Sequence, residues 1–202
     1  MKIHSNTSRI RAALLNSGRY NVAGAEAKLA SMRLEVHLSA DSASTPAGQA
    51  AALTAVLVGT RCFAEVVLTG ATDVPMIWKL PVAGRTVGEV SVEFGAVLEL
   101  SSKPSRIVIV GADPSTDRRA IRAIWNGWAA GIAPAADAPT FGRSDCALAG
   151  LAAGALAVGH CFLAEQDDPR AGRTRQGISL WAPDAGDRWF EEHGLEQPDR
   201  IT

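Results

Sequence analysis

The chain has 202 residues, 20 basic and 21 acidic side chains, and a formal net charge of −1. This length predicts one domain, and the balanced charge gives no electrostatic case for nucleic acid or a membrane surface as the main partner. Three cysteines at long spacings and an N-terminus without an apolar secretory segment indicate free thiols in a cytoplasmic protein.

The first third of the chain predicts short helices around one strand. Ser8–Asn16 reads as an amphipathic helix ended by Gly18, and Ala23–Ser31 has a second helical pattern. Arg33–Leu38 alternates polar and apolar residues, which predicts a half-buried strand with His37 on its polar, solvated face.

A longer helix and a second strand come next. Thr45 is a good N-cap, and Pro46 suits the first helical position because its missing N–H would be free there anyway. This helix is expected to run to about Thr60, and Ala64–Thr69 follows as a strand. Together they form an αβ unit.

The middle of the chain contains one secure strand and three ambiguous segments. Arg106–Val110 is a continuous β-branched run, typical of a strand buried on both faces of a parallel sheet. Before it, the segment between Pro75 and Pro81 fits an edge strand or an ordered loop, and Arg85–Gly95 fits a helix better than a strand. After it, Ala120–Ala133 predicts a strand with a bulge or twist at Gly127, with a helix as the alternative.

The segment Cys146–Ala164 has no charged side chain, although 20% of the chain is charged. It predicts a helix that begins after Ser144 or Asp145 as N-cap, runs to about Glu165 and is covered on nearly every side. Gly150 and Gly154 share one helical face, which indicates close contact with another backbone.

A membrane span is the alternative for this helix, since about 20 apolar residues suffice to cross a bilayer. Three features favour a buried helix packed on a sheet: the Ala and Gly content, His160 within the run, and acidic residues after it. We therefore expect no membrane insertion.

The end of the chain predicts a strand at Gly177–Ala182, a short amphipathic helix at Trp189–His193 and a tail or linker at 195–202. Residues 1–194 are then a single layered α/β domain, with a largely parallel sheet and a buried Ala/Gly-rich helix.

The sequence lacks the common catalytic motifs. It contains no G-x-G, P-loop, G-x-S-x-G, C-x-x-C or H-E-x-x-H. After the Arg106–Val110 strand a single glycine, Gly111, is followed by Asp113, which adds negative charge where a phosphate would lie. His160 and Cys161 are adjacent and point about 100° apart on a helix, so they do not face each other. We assign no catalytic, cofactor-binding or metal-binding residue.

Two features of the sequence fit either a binding role or a structural role. Arg170, Arg173 and Arg175 could hold a carboxylate or phosphate, or form a solvated loop with the nearby Asp167 and Asp168. Five tryptophans suit either an interface or the core, at positions 78, 125, 128, 181 and 189.

Two stretches resemble the ThiF/HesA superfamily of ubiquitin-activating-enzyme-like adenylyltransferases. The first is SDCALAGLAAGALAVGHCFLA with GISLW behind it, similar to the late Gly/Ala-rich helix and following strand of that fold. The second, TPAGQAAALTAVLVGTRCFAEVVLTG, resembles an αβ unit of some bacterial members. The family's glycine-rich nucleotide loop, acidic and basic ligand residues and acceptor cysteine have no counterpart here. The resemblance therefore implies a degenerate, non-catalytic Rossmann-like half of an activating system.

The leading hypothesis is a scaffold or docking surface for an adenylating domain or a ubiquitin-like or carrier protein. The alternative is a small-molecule enzyme with its site at the carboxyl ends of the strands, using Asp113, the Arg170–Arg175 loop and His160. A plainer possibility is a self-associating domain with tryptophans at the dimer contact.

Overall fold

The computed structural model describes residues 8–81, 84–99, 101–137 and 141–191, so the expected tail at 195–202 lies outside the described residues. A six-stranded sheet in the order β2-β1-β3-β4-β5-β6 organises them. The first four strands in this order are parallel, and β5 and β6 are antiparallel to their neighbours. The strands are β1 (Arg33–Leu38), β2 (Glu65–Gly70), β3 (Arg106–Val110), β4 (Ala120–Asn126), β5 (Ala129–Pro134) and β6 (Gln176–Ser179). The helices are α1 (Ser8–Asn16), α2 (Val22–Ser31), α3 (Ala40–Ala43), α4 (Pro46–Cys62), α5 (Val87–Glu93) and α6 (Ala147–Glu165). The layered α/β fold with a mostly parallel sheet is thus confirmed.

The two faces of the sheet are covered differently. The β1-to-β2 connection through α4 and the β3-to-β4 connection through residues 111–119 run in opposite directions along the sheet. Because such crossovers are right-handed, they lie on opposite faces. Both α4 and α6 pack on one face, whereas the short 111–119 crossover, which contains no helix, passes over the other.

The contact between α4 and α6 is made backbone to backbone. A Cβ on Gly150 would lie 2.0 Å from the Ala47 carbonyl oxygen, and a Cβ on Gly154 would lie 2.3 Å from that of Ala51. No other residue fits at these positions without moving a helix. The close contact expected from the glycine spacing is therefore confirmed.

A buried ion cluster joins the N-terminal helices to the sheet. Glu165 is 4% exposed and accepts from Lys28 on α2 and, at 2.8 Å, from Arg106 on β3. Burial alone would raise the pKa of Glu165, but its two cations outweigh burial and hold the pKa below its ordinary value. The end of α6 is fixed by charge as well as by packing.

Several elements agree with the sequence predictions. The bounds of α1, β1 and β3 match, and α2, α4 and β2 differ by one or two residues. The ambiguous Arg85–Gly95 contains helix α5, whose start is fixed by a capping box between Thr86 and Glu89. The segment after Pro75 is an ordered loop without a strand, and α3 was not foreseen.

The prediction for Ala120–Ala133 was wrong in one respect. The segment is two antiparallel strands, β4 and β5, and Gly127 lies in the turn between them with φ of 54°. Gly127 reverses the chain instead of bulging one strand, because this left-handed conformation suits a tight turn.

The central helix also required two corrections. Its N-cap is Cys146, which makes no side-chain cap. Ser144 instead accepts from the Trp125 indole at 3.0 Å, and Asp145 pairs with Arg143. The helix is also buried on one side only, because α6 lies in the outer layer; Leu148 is 56% exposed.

Within the described chain, α6 is the one helix long and apolar enough to cross a membrane by composition. Its inner side packs on α4 and on strands β3 to β5.

The C-terminal helix prediction was also wrong where it can be compared. Gly186–Arg188 is a 3₁₀ turn, and Trp189 to residue 191 continues without a helix; residues 192 and 193 lie outside the described residues. Trp189 is nonetheless buried, because its ring lies over Gly131 and Gly177, where a Cβ would come within 2.4 and 2.5 Å of it. The C-terminal segment therefore covers the face opposite α6.

Candidate functional site

The carboxyl ends of β1 and β3 are where a ligand would bind in a doubly wound sheet. The chain leaves β1 toward β2 on one side and later returns to β3 on the other. Ligands of open α/β sheets bind in the crevice that forms at such a switch point. The residues that follow the two strands therefore decide what this domain can hold.

The loops that follow the two strands approach each other closely at Gly111. Gly111, directly after β3, has φ of 122°, and a Cβ there would lie 2.4 Å from Cβ of Ser39 and 2.9 Å from Oγ of Ser42. Both serines are buried. The two strand ends are therefore in close contact, and a side chain at position 111 would collide with both serines.

Backbone donors near the crevice are already used. The Ala112 N–H donates to Asp41 Oδ1 at 3.3 Å, and the Asp113 N–H donates to Ser39 Oγ at 3.1 Å. The carboxylates of Asp41 and Asp113 also bring two negative charges to this edge. An anionic ligand would have to displace these bonds and approach two like charges.

The N-terminus of α4 is closed in the same way. Pro46 has no N–H, the Ala47 N–H donates to the Ser144 carbonyl at 3.0 Å, and the Gly48 N–H donates to Thr45 Oγ1 at 3.0 Å. Free N–H groups in the first helical turn make a helix N-terminus an anion site. The first turn of α4 therefore has no free N–H group.

A buried arginine fixes the 111–119 crossover. Arg122 on β4 is 1% exposed, and its guanidinium donates to the carbonyls of Gly111, Asp113 and Ala135, the last two at 3.0 Å. Burial lowers the pKa of Arg122. The guanidinium therefore holds the 111–119 crossover in place and does not face a ligand.

A polar chain runs across the strand ends on the crossover side. His37 Nε2 lies 2.7 Å from Asp113 Oδ2, His37 Nδ1 lies 3.1 Å from Thr69 Oγ1, and Thr69 donates to Glu35 at 2.8 Å. The hydrogen bond to His37 lowers the pKa of Asp113. His37 is on the polar face as predicted, but it joins three elements and is only 30% exposed.

The residues of the alternative enzyme hypothesis do not come together. Asp113 follows the carboxyl end of β3, whereas the end of α6 contacts Arg106 at the amino end of the same strand, about 13 Å away along it. His160 lies at this second end, where its Nδ1 accepts from the Gly172 N–H at 3.3 Å, and burial lowers its pKa.

The arginine loop is largely engaged with its own surroundings. Arg170 pairs with Asp168 and lowers the pKa of that carboxyl to about 2. Arg175 lies over the Phe190 ring at 5.1 Å, and Arg173 is exposed.

The neighbouring Cys161 faces the other way, into the core. It is fully buried, and burial raises the pKa of its thiol to about 12. His160 and Cys161 thus lie in different surroundings, as their helical positions require.

The tryptophans divide between core and surface. Trp125 and Trp189 are buried. Trp181 is 52% exposed and its ring lies 5.9 Å from that of Trp128. Core packing thus accounts for two of the five.

Exposed apolar residues lie on the outer sides of α4 and α6, and we call these two helical sides together the outer helical surface. Its most exposed members are Leu57 at 37%, Leu148 at 56% and Leu151 at 49%. Sequence reasoning missed this surface because it placed α6 in the middle of the core. The alternation of small and large residues along α6 was the available signal.

Sequence reasoning also missed the residues that close the crevice, Ser39, Asp41 and His37. Their positions at the end of β1 were the signal, although no motif marks them. Among the residues that the structure describes, no group of three or more His, Cys, Asp or Glu side chains could hold a metal ion.

A family model described as the BilD N-terminal domain matches residues 33–180. This range begins at the first residue of β1 and ends just after β6, so it spans the whole sheet and both packed helices. No curated protein matches the sequence.

Proposed function

The chain belongs to the BilD N-terminal domain family, and from this we propose that it is the non-catalytic, Rossmann-like half of a ThiF-like activating system. In this role it is a scaffold for an adenylating domain that performs the chemistry. Three observations support the proposal: the family match, the resemblance of two stretches to ThiF-like proteins, and the bonded groups at the carboxyl edge of the sheet.

The state of the α4 N-terminus carries the proposal. In a dinucleotide-binding fold, the crossover helix between β1 and β2, which is α4 here, meets the pyrophosphate with free N–H groups. Here the first-turn donors are used by Ser144 and Thr45, and Pro46 removes another. A triphosphate would have to break internal bonds before making its own.

Charge supports the same conclusion. Asp41 and Asp113 lie at the edge where phosphates would bind, and the buried cation nearby, Arg122, is bonded to three carbonyls. Phosphoryl and adenylyl transfer rely on cations and N–H donors that face the phosphates. At this edge carboxylates lie where the phosphates would bind, and the cation and the N–H donors are bonded within the protein.

The description of the family model supports a partner domain. A domain described as N-terminal precedes another domain in the protein for which it is named, and the missing catalytic groups are expected there. An adenylating domain is the partner that the ThiF-like resemblance implies. Fold likeness alone does not give function, so the nucleotide test is essential.

The test is a thermal-shift titration of the 202-residue chain with Mg-ATP, followed by ATP–pyrophosphate exchange. A ligand that binds the folded state at a hundred times its Kd would add about 2.7 kcal/mol of stability. We expect no change in Tm up to millimolar ATP and no exchange. A saturable rise in Tm, or exchange by the chain alone, would overturn the non-catalytic assignment.

A matched variant sharpens this test. Thr45→Ala removes the side-chain acceptor of the Gly48 N–H and costs about 1 kcal/mol of stability. We expect it to lower Tm without creating any response to ATP, because Ser144 and the two carboxylates still close the edge.

A further inference from the structure

A histidine on α6 holds the loop that leads from this helix to β6. His160 accepts a hydrogen bond at Nδ1 from the Gly172 N–H at 3.3 Å. Gly172 has φ of 64°, and a Cβ there would lie 2.6 Å from Cδ1 of Ile121 on β4. The bond to His160 therefore joins α6 to a tight turn of the loop where its backbone lies against the sheet.

This hydrogen bond requires a neutral ring. A backbone N–H only donates, so Nδ1 of His160 must present its lone pair and the ring proton lies on Nε2. A protonated imidazole has an N–H at both nitrogens and accepts no hydrogen bond. Protonation of His160 therefore breaks the bond and directs two N–H groups at each other.

The surroundings of the ring favour its neutral form. Burial lowers the pKa of His160, and the carboxylate of Asp168 on the loop acts in the opposite direction with a smaller effect. Asp168 stays ionised in mild acid, because Arg170 lowers the pKa of this carboxyl to about 2. The ring can therefore gain a proton while its charged neighbour on the loop stays unchanged.

Other charged groups at this end of α6 are paired with one another. Glu165 binds Lys28 on α2 and Arg106 on β3, and its pKa lies below the ordinary value. Asp167 pairs with Arg19 at 3.6 Å. Among the charged groups named here, Asp168 is the one that acts on the His160 ring.

We propose that His160 and Gly172 form a pH-sensitive latch, in which a proton on His160 releases residues 169–175 from α6. The proposal goes beyond the proposed function and does not depend on it. The released segment leads into β6, where Gln176 Nε2 donates to the Arg170 carbonyl at 3.3 Å and to Thr174 Oγ1 at 3.0 Å. The latch thus links pH to the order of this loop and of the start of the edge strand.

The direction of the effect follows from the lowered pKa of His160. The latch stabilises the closed loop fully above the ordinary histidine pKa of about 6.5, and this contribution is lost as pH falls through the lower folded value. In the open loop the ring takes up a proton with its ordinary pKa. Between about pH 7.5 and about pH 5, protonation can therefore favour opening by up to about thirtyfold.

The experiment is amide hydrogen exchange by NMR on the 202-residue chain, with each rate divided by the intrinsic rate at the same pH. We expect the protection factor of the Gly172 N–H to fall at least about fivefold from about pH 7.5 to about pH 5. The nitrogen chemical shift of His160 Nδ1 should change from an unprotonated to a protonated value. The control is the Leu68 N–H at the opposite edge of the sheet, which donates to the Val97 carbonyl at 3.0 Å and should keep its protection.

A variant pair separates the proton from the hydrogen bond. His160→Asn places an amide oxygen near the position of Nδ1, and this oxygen accepts a hydrogen bond but does not titrate. We expect Gly172 in this variant to keep its protection at both pH values. His160→Ala has no acceptor, so Gly172 should lose its protection at both.

Two results would overturn the latch. The first is a Gly172 protection factor in the wild type that is the same at both pH values. The second is an equal fall in His160→Asn, which would assign the pH dependence to another group. If His160→Ala fails to fold, the wild type and His160→Asn still decide between these outcomes.

Discussion

The carboxyl edge of the sheet and the outer helical surface differ in whether their groups are bonded within the domain or exposed to solvent. At the edge, donors and carboxylates are directed inward and bonded to each other, as with Ala112 and Asp41 or Ala47 and Ser144. On the outer surface, leucines point to solvent with nothing over them in the described chain. A nucleotide-binding domain of this fold has open polar groups at the edge. The comparison shows polar groups that are satisfied within the domain at the edge and apolar side chains that are exposed on the outer helices.

The largest expected effect tests whether the outer helical surface depends on backbone contact. In Gly154→Ala the new Cβ would lie 2.3 Å from a backbone oxygen, so α4 and α6 must separate. We expect a loss of about 3 kcal/mol in the free energy of unfolding. Gly159→Ala, where nothing lies within 4 Å, should instead gain about 0.5–1 kcal/mol. Urea unfolding of both proteins measures the difference; two changes of the same sign would contradict the contact.

The next effect concerns the closed edge. Arg122→Met leaves the carbonyls of Gly111, Asp113 and Ala135 without their donor, and we expect a loss of about 2 kcal/mol. Amide hydrogen exchange at Ala112 and Asp113 should become faster. Arg118→Met, on an exposed residue of the same crossover, is the control and should change neither quantity. Unchanged exchange in Arg122→Met would show that the loop is held by other contacts.

The smallest effect is a pH dependence at Asp113. The hydrogen bond to His37 lowers the pKa of Asp113, so its stabilisation is present above the unfolded-state pKa and lost as pH falls through the lower folded value. The free energy of unfolding of the wild type exceeds that of Asp113→Asn, and this difference should therefore decrease below about pH 4. Asp113 is 51% exposed, so we expect about 0.5 kcal/mol at neutral pH. Chemical denaturation at several pH values measures it, and a constant difference would contradict the pairing.

The strands and capped helices were predictable because their signals are local. Arg106–Val110 is β-branched throughout, and Thr45 with Pro46 marks a helix start within two residues. The turn at Gly127 was not predictable, because the residues around it suit a bulge as well as a hairpin. The exposed side of α6 was missed because leucine and alanine are apolar whether or not anything covers them.

Little of the candidate site's geometry was predictable from the sequence. Without a G-x-G after a strand, a nucleotide loop was not expected, and Asp113 was correctly placed at the strand end. The bonds that close the edge join residues far apart in sequence, such as Ala47 with Ser144 and His37 with Asp113. Only the fold brings these groups together.

The ion cluster at Glu165 has a consequence for where the folding unit ends. Its cation Lys28 lies on α2, before the family match begins at residue 33, and Trp189 covers β5 and β6 after the match ends at residue 180. A chain trimmed to the matched range would leave Glu165 with one cation and would expose the glycines beneath the indole. The region that sequence comparison identifies as the family is therefore smaller than the region whose residues pack together, and expression of the domain should retain both flanks.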